Sequence, residues 1–179
     1  MSLYVKNNPK GIDVPLQHFQ TFLFGQLKTK WNLSDADFNC HGRAYKNYDK
    51  GNYVPEVFTK GNDYQEVFFD DRLKVLSFFL VGDAQKYAKG MTAPVSMIFM
   101  VNVPGLKTSI VHRADEEIRL DVEKLVTQKR NSFTYTGTET GLNNVFKEFT
   151  GWKKSSVSTS DTHPRHCFRI NFSLLYNID

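Results

Sequence analysis

Between residues 13 and 31 the apolar positions recur at helical spacing. Leu16, Phe19, Phe22, Leu23, Leu27 and Trp31 share one face, while Gln17, Gln20, Gln26, Lys28 and Lys30 fall mostly on the other. That spacing predicts an amphipathic helix. Asp13 is placed to cap it, and Pro15 suits the first turn, where a missing N–H is not needed. A second helix is predicted over 112–129. Ala114, Ile118, Val122 and Leu125 make one apolar stripe. Asp115, Glu116 and Glu117 gather at its start and Lys124, Lys129 and Arg130 near its end, which complements the helix dipole. Glu117, Asp121 and Lys124 are spaced to pair along its exposed side.

Residues 73–81 and 93–103 are near-continuous apolar runs, which predicts central strands buried on both faces. The stretch 82–92 (GDAQKYAKGMT) between them is too long for a two-residue turn and predicts a projecting loop. A short strand over 133–136, a short helix over 142–149 and a polar loop over 153–165 follow. In 167–177, Phe168, Ile170, Phe172, Leu174 and Tyr176 alternate with Arg169, Asn171 and Ser173. That is the period of a strand with one buried face.

Residues 38–71 change character. Extended pieces at 53–58 and 64–69 alternate with turn signals at 49–52 and 60–63, and Tyr45, Tyr48, Tyr53 and Phe58 give a heavy aromatic load. Pro55 holds Val54 extended and marks an edge or bulge. The stretch predicts an aromatic, hairpin-rich excursion within one domain covering 1–179. The fold class is α+β: a mainly antiparallel sheet with two amphipathic helices packed on one face.

Composition adds less. The chain has 179 residues, 40% hydrophobic and 23% charged, enough to bury a core. Its 15 Phe and 8 Tyr are many for that length and favour strands and interfaces. The formal charge is only +4. Lys and Arg are interspersed with acids, unlike the basic stripe of a dedicated duplex binder. Residues 1–12 lack the apolar stretch of a signal peptide, and no run has the length of a membrane span. With two cysteines, Cys40 and Cys167, this points to synthesis in a reducing compartment.

Candidate chemistry is sparse. His163, His166 and Cys167 form H-x-x-H-C, but Pro164 and the strand that follows disfavour convergence on a metal. Cys40 and His41 are adjacent, so in a strand they point to opposite faces and do not share a proton. The cluster of His112, Arg113, Asp115, Glu116 and Glu117 reads as a helix start, and Asp70–Asp71 before Arg72 as a turn. No phosphate-binding, dinucleotide or nucleophile-elbow motif occurs. No catalytic, cofactor-binding or metal residue is assigned, and no cofactor is expected.

Five stretches carry a resemblance. HRADEEIRLDVEKL (112–125), GLNNVFKEFTGW (141–152), HPRHCFRINFSLLYNI (163–178), GIDVPLQHFQTFLFGQL (11–27) and GNYVPEVFTKGNDYQEVFFDD (51–71) resemble small structural proteins of tailed bacteriophages. The order of elements is similar to tail-terminator and head–tail connector subunits. The resemblance implies a virion protein, not an enzyme, made in the host cytoplasm and acting through its surfaces. Its partners would be copies of itself in a six- or twelve-fold ring, neighbouring portal, connector or tail proteins, and DNA in the channel, with no membrane. The aromatic stretch 40–71 is longer than a minimal terminator needs. Two other classes stay open: a nucleic-acid-binding accessory protein, from the basic pI and from pairs such as Tyr45–Lys46 and Lys86–Tyr87, and a small enzyme using Cys40 or Cys167.

Overall fold

The structure, a computed structural model, describes residues 3–59, 63–67, 70, 72–109, 113–128, 133–150 and 164–177. Helix α1 (Asp13–Lys30) is followed by β1 (Phe38–Asp49), β2 (Asn52–Phe58), β3 (Tyr64–Glu66), β4 (Val75–Val81), β5 (Gln85–Tyr87) and β6 (Gly90–Asn102). Then come α2 (Val103–Leu106), α3 (Asp115–Gln128), β7 (Phe133–Thr140), α4 (Leu142–Val145) and β8 (Arg165–Tyr176). The fold is α+β, with one eight-stranded sheet of order β3-β2-β1-β4-β6-β8-β7 and β5 paired to β6. Among the strands of the described residues, β1 and β4 are the one parallel pair and the other pairs are antiparallel. Among the described residues, no helix is long and apolar enough to cross a membrane.

Both long helices lie on one sheet face, as their stripes predict. Leu16, Phe19 and Leu23 of α1 and Ile118 and Val122 of α3 share a core cluster with Phe79, Phe99 and Phe172. Each such side chain contributes roughly 1.5–3 kcal/mol relative to exposure. Three local expectations change. Asp13 is not the cap: Ile12 holds that place without a side-chain bond, and the Asp13 carboxylate instead accepts from Lys6 Nζ at 2.9 Å. Gln20 is buried rather than solvated, because its Nε2 donates to the carbonyls of Tyr4 and Cys40 and ties α1 to β1. Asp121 turns inward, accepting from Trp31 Nε1 at 2.9 Å and Lys107 Nζ at 3.1 Å. On the exposed side of α3, Arg119 pairs with Glu116 and Glu123.

The second face has its own cluster, in which Phe78, Ile98 and Met100 meet Val145, Phe146 and Phe149. This corrects the one-sided reading of 167–177 for the first half of the strand; from Asn171 to Leu175 the alternation holds. Cys167 and Arg169 are buried too, because α4 and the turn after it cover that side, and Glu148 Oε2 accepts from Arg169 Nη1 at 2.6 Å.

Residues 38–71 are not simply an excursion. The first half of β1 is a sheet strand, paired in parallel with β4 from Phe38↔Val75 to Arg43↔Phe79. A bulge between Cys40 and Arg43 then turns the chain. Its second half leaves with β2 as a ribbon closed at Asp49↔Asn52, where Lys50 (φ 47°) and Gly51 (φ 88°) make the doubly left-handed turn that suits a hairpin. Pro55 costs no ladder bond. Its carbonyl faces outward to Val67, so its nitrogen also points to the outer side, beyond the end of β3. The stretch 82–92 does contain a two-residue turn: after a one-residue register shift at 82–84, β5 continues along β6 and the hairpin closes with Tyr87 opposite Gly90. A Cβ on Gly90 would lie 2.7 Å from the Tyr176 carbonyl oxygen, so only glycine fits there. Of the polar loop expected over 153–165, residues 153–163 lie outside the described residues, and Arg165 already opens β8.

Candidate functional site

The bulge in β1 creates the site. Before it, Phe38 and Cys40 face α1, so Asn39 and His41 face the other way. Beyond it the β2–β3 ribbon curls over that second face, and a cavity of about 500 Å³ opens between them. Val57, Leu73 and Leu76 give it apolar walls. Asn39, His41 and Glu66 are polar groups in its lining, and Asp70 and Arg72 stand at its rim.

His41 is buried and lies flat on the Tyr4 ring, with centroids 4.4 Å apart and planes 4° from parallel. Burial pushes its pKa down to about 4, against a weaker opposing contact with the Phe58 carbonyl. The ring is therefore neutral at pH 7. Its Nδ1 lies 3.4 Å from the Phe58 oxygen, which can only accept, so the hydrogen sits on Nδ1 and Nε2 keeps a lone pair. Asp70 and Arg72 form a two-pronged pair, Nε to Oδ1 at 2.9 Å and Nη2 to Oδ2 at 2.7 Å, and Arg72 holds the Asp70 carboxyl below its usual pKa. The site offers an apolar slot, a neutral imidazole in its lining and an Asp70–Arg72 ion pair beside it. An imidazole with a pKa near 4 is a poor proton shuttle at neutral pH.

The cysteines lie elsewhere. Cys40 is fully buried against α1, accepts from Ser77 Oγ at 3.4 Å, and has its thiol pushed up to about 12 by burial. Cys167 is fully buried in the second cluster. Two separately flagged motifs do meet: His166 Nδ1 lies 3.6 Å from Asp115 Oδ2, joining the start of β8 to the start of α3, and Arg113 also donates to Asp115. His112, His163 and Asp71 lie outside the described residues. Among the described residues no three His, Cys, Asp or Glu gather as a metal site would require.

A second feature lies at the far end of the ribbon. Because β1 runs parallel to β4, the β1–β2 hairpin and the β5–β6 hairpin project from the same end of the sheet. Tyr48 and Tyr53 face each other across the first hairpin, ring centroids 5.3 Å apart and 62° between planes. Tyr87 stands on the second and Leu175 beside it on β8, and all four side chains are exposed. The aromatic load of this region was readable from Tyr45, Tyr48 and Tyr53. The cavity was not, though the alternation of Asn39 and His41 against Phe38 and Cys40 was its one available signal.

Comparison with protein-family models finds no match, and comparisons with curated proteins and with solved structures find no significant one.

Proposed function

We propose that this chain is a structural subunit that closes into a homo-oligomeric ring in a tailed-phage virion, at the head–tail connector or tail terminator. One observation carries the reading: the end of the sheet at which two hairpins present Tyr48, Tyr53, Tyr87 and Leu175 to solvent on hydrogen-bonded strands. Aromatic rings on a rigid scaffold bury area at low entropy cost, and such side chains are enriched at protein interfaces. Both sheet faces carry core clusters of the chain's own side chains, so the reading rests on the exposed rings at this end. The sequence likeness to tailed-phage structural proteins supplies the kind of assembly. Its neighbours would be portal, connector or tail proteins, with DNA passing through the channel.

Light scattering on size-exclusion fractions and imaging of intact particles test the reading. One closed oligomer and density at the head–tail junction are expected. A chain that stays monomeric at high concentration and is absent from particles overturns it.

A nucleic-acid-binding role rests on Lys6 Nζ and Arg43 Cζ, each 5.0 Å from the Tyr45 ring centroid. Lys6 is already bound to Asp13 and to the Tyr45 hydroxyl, which favours an internal use of this cluster. Binding that weakens steeply with salt would support that role.

A further inference from the structure

Residues 3–11 lead into α1 as a strap laid along β1, with Leu3 bridged to Cys40 in parallel. We infer that residues 3–6 are a movable wall of the His41 cavity, lifting as one unit when His41 takes up a proton. The inference does not depend on the ring reading.

The strap is attached in a way that lets it open alone. None of residues 3–11 is buried, so little apolar area is lost when it lifts. Tyr4 N–H donates to the Cys40 carbonyl at 3.1 Å. Two glutamines of α1 hold the strap backbone. Gln20 Nε2 donates to the Tyr4 carbonyl, while Gln17 accepts from the Lys6 N–H and donates to the Lys6 carbonyl. Lys6 Nζ donates to Asp13 and to the Tyr45 hydroxyl. Water can replace each of these partners. Asn8 and Gly11, both with φ of 55°, bracket Pro9 and provide a hinge before the helix.

What the strap covers is the imidazole. The Tyr4 and His41 rings stack at 4.4 Å, and both residues line the cavity. With Tyr4 in place His41 is 6% exposed, and burial disfavours its charged form. With Tyr4 lifted, the ring faces solvent and binds a proton at its ordinary affinity. The face of Tyr4 attracts an imidazolium, but that contact recovers less than burial of the charge costs. Among the described residues, the titratable or charged groups around His41 are Tyr4 on the strap, Glu66 on β3, and Asp70 and Arg72 ahead of β4; β2 presents the Phe58 carbonyl. Of these only Tyr4 moves with the strap, so the others act on both states. Proton and docked strap therefore compete for one ring.

Amide exchange in the intact chain, corrected for intrinsic rates, tests this competition. The Tyr4 and Lys6 N–H groups report the strap, and Phe99 N–H in central β6 reports global unfolding. The strap amides should be less protected than Phe99 at pH 7.5. From pH 7.5 to 5 their opening should rise roughly 25-fold, the ratio for a site with a pKa of 6.5 when open and about 4 when closed. His41→Phe keeps a ring against Tyr4 and should remove that rise. Gln17→Ala should raise opening at both pH values and leave the ratio unchanged. In the wild-type protein the His41 ring proton signal should titrate in step with the loss of strap protection. Strap amides as protected as Phe99, a wild-type opening that ignores pH, or the same rise in His41→Phe would each overturn the inference. If His41→Phe does not fold, the ring signal decides: titration of His41 with strap protection unchanged overturns it as well.

Discussion

The body of the sheet and its projecting end divide the aromatic residues between them. In the body, Phe19 of α1 meets Phe79, Phe133 and Phe172 with ring centroids 4.5 to 6.1 Å apart. At the projecting end, Tyr48 stands against Tyr53 at 5.3 Å. The ring geometry is similar but the burial is opposite: Phe19 is 2% exposed and Tyr48 64%. None of the eight tyrosines is buried. A phenol oxygen taken into a core needs a partner or costs roughly 1–3 kcal/mol. Phenylalanine carries no such demand, so it fills the core, while tyrosine serves where one side of the ring stays wet. A high aromatic content therefore conceals two separate uses.

Phe19→Ala should have the largest effect. It deletes a ring that also contacts Phe22, and a loss of about 3–5 kcal/mol is expected in urea unfolding. A loss below about 1 kcal/mol would mean that this cluster does not hold α1 to the sheet.

Acid comes next. The folded pKa of His41, about 4, lies below its ordinary value of 6.5, so between these values the unfolded chain binds the proton first. The stability from the neutral ring is fully present above pH 6.5 and is lost as pH falls toward 4, by up to about 3 kcal/mol. His41→Phe keeps a ring on Tyr4 and should flatten that part of the pH profile, measured by urea unfolding between pH 4 and 7.

Glu148→Ala should cost about 2 kcal/mol in thermal unfolding, because the buried Arg169 guanidinium loses its carboxylate partner. Glu148→Gln should recover part of this by restoring an acceptor.

The smallest effects belong to the projecting end. Tyr48→Ala and Tyr53→Ala should each change unfolding by less than about 0.5 kcal/mol. A tyrosine as costly to remove as Phe19 would erase the division between the two regions.

Much of the body was legible because each long helix turns one stripe to one surface. Ala114, Ile118, Val122 and Leu125 are all buried as their spacing predicts. Strand β1 was missed because its bulge shifts the alternation between Cys40 and Arg43, so neither period runs through it. Arg169 reads as a solvent-facing residue until Glu148, brought in by the turn after α4, supplies its counter-charge. The cavity escaped for a related reason. Its walls come from β1, from the β2–β3 ribbon and from Asp70, Arg72, Leu73 and Leu76, and no local motif joins them.

The place of β8 in the sheet bears on how the chain is made. This last strand lies between β6 and β7, paired with β6 from Met91↔Tyr176 to Asn102↔Arg165. During synthesis the apolar run of β6 must wait for α3, β7 and α4 to be made before β8 covers that edge. Phe19 of α1 waits for Phe172. Pairing so distant in sequence folds slowly and leaves sticky strand edges open meanwhile. The core is therefore completed only when β8 has been made, and a truncation that removes β8 should yield an aggregating fragment rather than a smaller stable domain.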